Sequence, residues 1–151
     1  MYRFHNDDAY LEFDVGDDYH NELLRDDTIV SIKFSVNGFS GFSGEYILSS
    51  QLESFADSIL KLEASRKGNA QLFTSVGDVS FEIKSIDESG HFGIIFSSIE
   101  YSFLGDDYRT YEASAFFEID PIQLVEFSKE DWVSIYKSTE SIKTKILKFF
   151  D

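Results

Sequence analysis

The fold is decided by residues 79–127, VSFEIKSIDESGHFGIIFSSIEYSFLGDDYRTYEASAFFEIDPIQLVEF. They predict three antiparallel strands followed by a helix. In the first strand Val79, Phe81 and Ile83 alternate with polar residues, which is the period of a strand that buries one face. The segment DESG at 87–90 predicts a turn in which Gly90 takes a positive φ, so the next strand folds back on the first.

The second predicted strand, residues 91–103, changes the phase of its apolar positions near Ser97 and Ser98. Apolar residues occupy positions 92, 94 and 96 and then positions 99, 101 and 103. We predict a β-bulge there, because a bulge absorbs a slip of one residue while the same face stays buried. After a turn at 105–107, the third strand places the odd-numbered residues from Tyr111 to Ile119 on one side.

The flanking sequence predicts further strands and helices. Residues 10–15 indicate a short strand at a sheet edge, where charge discourages pairing with foreign strands. Ser50 and Glu53 form a capping-box pattern that predicts a helix over 50–65, and Gly68 is a natural end signal. The other predicted elements are a strand at 28–36, a glycine-rich hairpin connection or binding loop from 37 to 44, a returning strand at 45–48 and a strand at 70–74.

The C-terminal third of the chain predicts helices. Asp120 is placed to cap a helix that has Pro121 at its first position and Gln123 at its third. The segment SKED at 128–131 resembles a second helix start, so one bent helix or two short helices both fit. The lysine-rich tail is amphipathic around Ile142 and predicts either a final packed helix, a self-association element or a membrane-surface contact.

Length and composition favour one domain. The 151 residues are 42% hydrophobic and include 16 phenylalanines, enough for a substantial core. We predict a single α+β domain over residues 1–151, with an antiparallel sheet of about six strands and two or three helices packed on one face or end. Its predicted segments are an acidic N-terminal segment (1–27), a core of sheet and helices (28–127) and a C-terminal helical segment (128–151).

The composition also bears on location. The chain contains no cysteine, which fits a reducing compartment and excludes a disulfide framework. The first ten residues lack the apolar run of a secretory signal, and no window approaches a membrane span. We therefore expect a cytoplasmic protein.

The charge points to the class of partner. The formal net charge is −15, which disfavours direct binding to nucleic acid or to an anionic membrane, because both reward lysine and arginine. A basic protein would be attracted instead, although an acidic surface also serves solubility alone. The residues that we predict to contact such a partner are Asp7, Asp8, Asp14, Asp17, Asp18, Asp26, Asp27, Asp106 and Asp107.

The sequence contains no recognisable catalytic or metal-binding motif. The three histidines, His5, His20 and His91, lie in no spacing that metal or nucleophile chemistry uses. The group Asp14, Asp17, Asp18, His20 and Glu22 lacks the order of a calcium loop and is better explained as a solvated acidic loop. We expect no catalytic residue, no metal and no cofactor.

The aromatic residues have two interpretations. Most rings fall on inward strand positions and predict core packing, but they could also line a ligand pocket in a curved sheet. Trp132 is expected either in the core or as a recognition anchor.

The assembled pattern resembles the WapI-type family of small bacterial immunity proteins over roughly residues 28–127. The resemblance is carried by Gly44-Glu45-Tyr46, Leu52-x-x-Phe55-Ala56, Gly68-x-Ala70-x-Leu72, the Phe81 strand, Ser89-Gly90-His91 and Phe117-Glu118-Ile119-Asp120 before Leu124. It implies a non-enzymatic role, in which the protein binds and neutralises a cognate toxin domain, often a nuclease, in the cytoplasm. It implies no catalytic residues.

The sequence thus favours a protein-binding module that covers the basic groove of a toxin domain with a carboxylate-rich face. The alternative is a small enzyme or ligand-binding domain, with a pocket between sheet and helix that holds polar groups such as His91 or Tyr111. Partner identity and oligomeric state do not follow from the residues.

Overall fold

The structure, a computed structural model, describes residues 1–16, 27–74 and 78–137. Within these residues the chain forms two antiparallel four-stranded sheets, ordered β1-β2-β3-β4 and β5-β6-β7-β8, and three helices. The elements are β1 (Tyr2–Asn6), β2 (Ala9–Val15), β3 (Asp27–Val36), β4 (Phe39–Leu48), α1 (Ser49–Ser65), β5 (Asn69–Phe73), β6 (Val79–Ser85), β7 (Phe92–Leu104), β8 (Asp107–Ile119), α2 (Pro121–Ser128) and α3 (Asp131–Tyr136). The α+β class is confirmed, but two sheets replace the predicted single sheet, because α1 separates the two runs of strands.

The first sheet begins earlier than predicted. β1 pairs with β2 from Tyr2↔Phe13 to Asn6↔Ala9, so β2 lies between β1 and β3 and the prediction of an edge strand at 10–15 is wrong. The sequence did not predict β1, because only Phe4 of its five residues is buried and a single buried residue gives no alternating pattern. The β3–β4 connection is a hairpin, as predicted, with positive φ at both Asn37 (52°) and Gly38 (83°), as a type I′ turn requires. The predicted bounds are wrong, because the turn is only two residues long and residues 39–44 belong to β4 rather than to a glycine-rich connection.

In the second sheet the predicted bulge near Ser97 and Ser98 is wrong. β7 and β8 pair without interruption from Phe92↔Ile119 to Leu104↔Asp107. The two apolar sets of β7 therefore lie on opposite faces, since successive side chains of a regular strand alternate. The pairing of β6 with β7 ends at Val79↔Ser98, and beyond that point β8 is the only strand, among the described residues, that pairs with β7.

Helix α1 carries the predicted buried stripe but starts one residue earlier than predicted. Leu52 and Phe55 lie on this stripe and are fully buried. At the start, Gln51 Oε1 accepts the backbone N–H of Leu48 at 3.1 Å, so the predicted capping box of Ser50 and Glu53 is wrong. The helix ends at Ser65, and Gly68 follows it with φ of 94°, as predicted.

Residues 121–136 form two short helices rather than one bent helix. Pro121 occupies the first position of α2, as predicted, but the side chain of Asp120 makes no capping hydrogen bond. Gln123 does not cap the helix either. Its side chain accepts the backbone N–H of His5 and donates to the His5 carbonyl, both at 2.9 Å, and so joins α2 to β1. The tail from residue 138 onward lies outside the described residues.

A continuous aromatic core joins the sheets and the helices. Phe4 and Phe13 of the first sheet pack on Phe81 of the second, with ring centroids 6.0 and 5.1 Å apart. Phe127 lies 4.8 Å from Phe4, and Trp132, 4% exposed, lies 5.6 Å from Phe13, so Trp132 is a core residue. The core runs from Phe4 to Tyr136 and extends beyond the predicted 28–127 segment at both ends.

No helix of the described residues combines the length and the apolar character needed to cross a membrane.

Candidate protein-binding surface

The structure places the predicted acidic residues in separate parts of the fold. Asp7 and Asp8 form the β1–β2 turn, and Asp14 lies on β2, 3.5 Å from the amino group of Met1. Asp106 and Asp107 lie at the tip of the β7–β8 hairpin. Asp17, Asp18 and Asp26 lie outside the described residues, and only the backbone of Asp27, at the start of β3, is described.

These acidic residues do not form one face. The turn at Asp7 lies beside the end of β8, because the side-chain amide of Asn6 donates to the carbonyl of Glu118 at 2.9 Å. Asp107 begins the same strand eleven residues before Glu118, which is about 35 Å along an extended chain. The described part of the predicted carboxylate-rich face is therefore divided among the β1–β2 turn, the last residues of β2 and the tip of the β7–β8 hairpin.

A more coherent surface lies on the part of the β7–β8 hairpin beyond the core, residues 99–112, which we call the ribbon. Residues 100–114 are all exposed, since neither face of the ribbon meets the aromatic core. The Ile99 N–H still donates to the carbonyl of Asp78 at 2.8 Å, and beyond Ile99 no described strand pairs with the edge of β7 that faced β6. β8 is an edge strand of its sheet. An unpaired strand edge is a ready template for contact with another chain.

Three aromatic side chains share the outer face of the ribbon. The rings of Tyr101 and Tyr108 are stacked, with centroids 5.5 Å apart and planes inclined by 17°. Phe103, the cross-strand partner of Tyr108, meets it edge-on at 5.5 Å. These rings are exposed by 50%, 55% and 72% for Tyr101, Tyr108 and Phe103 respectively. They hold one another in place, so binding would order few additional side chains.

The apolar outer face continues toward the other end of the hairpin. Ile95 and Phe116 are cross-strand partners there, and Phe116 is 75% exposed. With Ile86 they border a hollow of about 550 Å³. Gly93 permits this arrangement, because a Cβ at that position would lie 3.2 Å from Cδ1 of Ile86. Phe116 and Tyr108 are eight residues apart on β8, so the face extends for about 27 Å.

The ribbon is also acidic. It carries four carboxylates but only one cationic side chain, Arg109, which lies 3.3 Å from Asp107. Partial desolvation, with a smaller contribution from Tyr101, raises the pKa of the Tyr108 phenol above its ordinary value. Tyr108 is therefore uncharged near neutral pH and available as a hydrogen-bond donor. The four carboxylates are Glu100, Asp106, Asp107 and Glu112.

A separate polar cleft of about 360 Å³ contains His91. Asp87 Oδ2 lies 3.0 Å from Nδ1 of His91, and Asp87 Oδ1 accepts the backbone N–H of Ser89 at 2.9 Å. The hydrogen bond with Asp87 raises the pKa of His91 and lowers that of Asp87. The cleft is lined by His5, Asn6, Asp7, His91, Glu118, Ile119, Asp120 and Gln123.

The described residues contain no group of three or more histidine, aspartate or glutamate side chains placed to hold a metal ion. Of the acidic cluster considered as a metal site, only Asp14 is described. Tyr111 does not join His91 in the polar cleft but lies on the ribbon, 67% exposed.

Sequence reasoning missed the apolar outer face, although its signal was present. The change of phase at Ser97 and Ser98 was attributed to a bulge that keeps every aromatic side chain inside. With a regular register it places Ile99, Tyr101 and Phe103 outside.

Comparison of the chain with protein-family models, curated proteins and solved structures found no significant match.

Proposed function

We propose that this protein is a non-enzymatic protein-binding module whose partner is a basic protein. The observation that carries the proposal is the ribbon, which exposes an ordered aromatic face on two strands that extend beyond the core. Exposed aromatic side chains supply much of the binding energy in protein interfaces, and large uncovered apolar faces are unusual on proteins that act alone.

The sign of the charge supports a basic partner. The net charge of −15 and the excess of carboxylates on the ribbon attract a cationic surface and accelerate its association. The resemblance to small immunity proteins suggests a toxin domain, such as a nuclease, as that partner. In this mechanism the ribbon enters the basic substrate groove, where Asp106 and Asp107 occupy positions that phosphates would take and the aromatic side chains exclude water.

The proposal is tested by sequencing the adjacent reading frames and producing the toxin domain expected there. Protection of toxin activity is then measured with the unaltered protein, with Phe103→Ser and with Tyr46→Ser as a control. Tyr46 is 70% exposed on the outer face of the first sheet, so both changes remove a similar exposed ring.

Phe103→Ser should weaken binding by tenfold or more, because truncating a central aromatic side chain in an interface costs about 2 kcal/mol or more. Tyr46→Ser should leave binding within about twofold. Equal effects of the two substitutions would remove the ribbon from the mechanism. The absence of a toxin domain from the adjacent frames would remove the immunity role.

The second candidate, a small enzyme or ligand-binding domain, is favoured by the polar cleft around His91. Its lining brings imidazole, carboxylate and amide groups from β1, β8, α2 and the turns beside them to one opening. A fragment library screened against ¹⁵N-labelled protein distinguishes the two functions. Shifts confined to His5 and His91 would favour the cleft as a ligand site, whereas spectra that respond only at the ribbon would favour protein binding.

A further inference from the structure

One side of the ribbon continues the line of β6 and presents backbone hydrogen-bonding groups. We call this side, over residues 100–104, the β7 edge. β6 makes its last contact with β7 through the Ile99 N–H, which donates to the Asp78 carbonyl at 2.8 Å. Beyond it no described strand pairs with the β7 edge. Because residues two apart on a strand direct their N–H and C=O groups to the same side, Tyr101 and Phe103 direct theirs to this edge.

The side chains along the β7 edge alternate between two different surfaces. Those of Tyr101 and Phe103 lie on the outer face, whereas those of Glu100 and Ser102 lie on the inner face. Residues directly opposite each other in paired strands place their side chains on the same face. A strand that pairs with the β7 edge would therefore place alternate side chains beside the aromatic rings and the others beside Glu100 and Ser102.

Carboxylates flank the β7 edge on both faces. Glu100 is exposed on the inner face, and the one cationic side chain of the ribbon, Arg109, contacts Asp107 instead, at 3.3 Å. On the outer side, partial desolvation is the largest cause that raises the pKa of the Tyr108 phenol, and the Asp78 carboxylate also contributes. Asp78 therefore lies near the exposed rings. A chain that approaches this edge meets negative charge on either face, which favours a basic segment.

We propose that the β7 edge pairs with an extended segment of the basic partner, which adds a strand to the sheet in line with β6. The inference rests on the proposed function and deepens it by naming how the ribbon holds its partner. In strand addition, main-chain hydrogen bonds supply affinity and alternate side chains supply specificity. The added strand runs antiparallel to β7, as β6 does. Its apolar residues lie opposite Tyr101 and Phe103, and its basic residues lie opposite Glu100 and Ser102.

The register determines which amides of the segment bond to β7. Tyr101 and Phe103 direct their backbone groups to the edge, so the residues opposite them form hydrogen-bonded pairs and use their own N–H groups. The basic residues opposite Glu100 and Ser102 direct their N–H groups away from β7. Methylation of the backbone nitrogen should therefore block pairing at the apolar positions and permit it at the basic positions.

A peptide titration of the full chain tests this pattern. The probe is acetyl-Lys-Val-Lys-Val-Lys-amide, and two matched derivatives carry N-methyl groups either on both valines or on the second and third lysines. A fourth peptide has glutamate in place of every lysine. With the probe, the ¹⁵N spectrum should show saturable shifts at the amides of Tyr101 and Phe103 and slower exchange of both amides with water.

The four peptides should differ in affinity in a fixed order. The valine-methylated peptide should bind about tenfold more weakly than the lysine-methylated peptide, because it loses two hydrogen bonds to β7. The glutamate peptide should not bind, and added salt should weaken binding of the probe. Equal binding of the two methylated peptides would overturn the inference.

Two protein variants separate the edge from the general negative charge. Glu100→Gln should weaken binding of the probe about threefold, because it removes an opposite-charge pair across the two strands. Glu53→Gln removes an exposed carboxylate from α1 and should leave binding unchanged. Equal effects of the two variants would contradict the proposed register.

The spectra also identify other occupants or another edge. Shifts at the amides of Thr110 and Ser114, with those of Tyr101 and Phe103 unchanged, would assign pairing to β8 and overturn the inference. Slow exchange of the Tyr101 and Phe103 amides before peptide is added would show that the edge is already covered, by a second copy if the protection depends on protein concentration and by the chain itself if it does not. Either result would overturn the inference.

The failure of the inference and the failure of the proposed function are distinguishable. If the toxin domain is neutralised but the amides of Tyr101 and Phe103 gain no protection in the complex, the proposed function stands and the pairing inference fails. If the probe pairs with the β7 edge as described but no basic protein partner is neutralised, the proposed function fails instead.

Discussion

Substituting two glycines of one repeated sequence should have opposite effects on stability. β4 contains Phe-Ser-Gly twice in succession, ending at Gly41 and at Gly44. The local sequence is the same, but the two positions are three residues apart on a strand and so face opposite sides of the sheet. A Cβ at Gly41 would lie 2.7 Å from the Phe34 ring, whereas a Cβ at Gly44 would approach nothing closer than Cε1 of Phe42 at 3.7 Å.

The structure determines which effect dominates in each variant. Replacing a strand glycine by alanine ordinarily stabilises a protein by about 0.5–1 kcal/mol, because the unfolded chain loses freedom. Gly44→Ala should show that gain. In Gly41→Ala the methyl group displaces the Phe34 ring, which Phe96 confines at 5.3 Å, and overpacking of this kind costs about 1–3 kcal/mol. We expect Gly41→Ala to be less stable than Gly44→Ala by about 2 kcal/mol.

Urea unfolding followed by Trp132 fluorescence provides the measurement. Trp132 is the only tryptophan of the chain and is 4% exposed, so its emission reports loss of the core. A difference of about 2 kcal/mol between the variants should also separate their melting temperatures by about 4–8 °C at this chain length. If Gly41→Ala is as stable as Gly44→Ala, the inward placement of Gly41 against Phe34 is incorrect.

Three further changes probe the core, the link between β1 and α2, and the His91 turn. Phe81→Ala should lower the unfolding free energy by about 3–5 kcal/mol in urea, because this fully buried ring contacts both sheets and two helices. Gln123→Ala removes two hydrogen bonds to the backbone of His5 and should cost about 1–3 kcal/mol and speed exchange of the His5 amide. Asp87 raises the pKa of His91 above 6.5, and His91 lowers the pKa of Asp87. The pair should therefore stabilise the fold most in the mildly acidic range, where His91 is protonated and Asp87 is ionised, and less as the pH rises through the folded-state pKa of His91; His91→Gln should abolish this dependence in urea midpoints measured across neutral pH.

Much of the fold follows from patterns that local physics enforces. The alternation of Val79, Phe81 and Ile83 and the turn with Gly90 predicted β6 and the start of β7 correctly. The helix stripe around Phe55 was also predicted, because apolar periodicity reports directly on burial. The sequence left open whether residues 121–136 form one bent helix or two short helices. The number of sheets was not accessible, since which strands pair is decided by contacts between residues far apart in the chain.

The errors have specific physical causes. A β-bulge at Ser97 was inferred by assuming that every apolar stripe of β7 faces the core. The assumption fails beyond Ser98, where the pairing of β6 with β7 ends at Val79. From that point β7 extends past the core, so its apolar residues have no core to face. The edge position assigned to β2 failed because β1 is five residues long and buries a single side chain, Phe4. One buried residue is too few to produce a periodic signal.

The candidate surface could not be predicted either, because its position depends on which strands pair. Composition identified the acidic character, but the sum of charges contains no information on position, and Asp7 and Asp107 lie at opposite ends of β8. The aromatic side chains of the ribbon were counted with the core because sequence periodicity does not distinguish an inward face from an uncovered outward one. That distinction depends on which neighbouring strand is present, and only the tertiary structure supplies it.

The two unusual features of the ribbon are best understood together. A strand edge that pairs with no described strand, beside exposed rings such as Phe103, favours association between copies of a chain. A net charge of −15 opposes the approach of a second copy, and the carboxylates of Asp106 and Asp107 place that repulsion at the tip, where contact would begin. The same charges attract a cationic surface, so the sign of the partner decides whether the aromatic face is covered. Under the proposed function, the acidic residues would select the partner and the aromatic side chains would supply the binding energy once it had arrived.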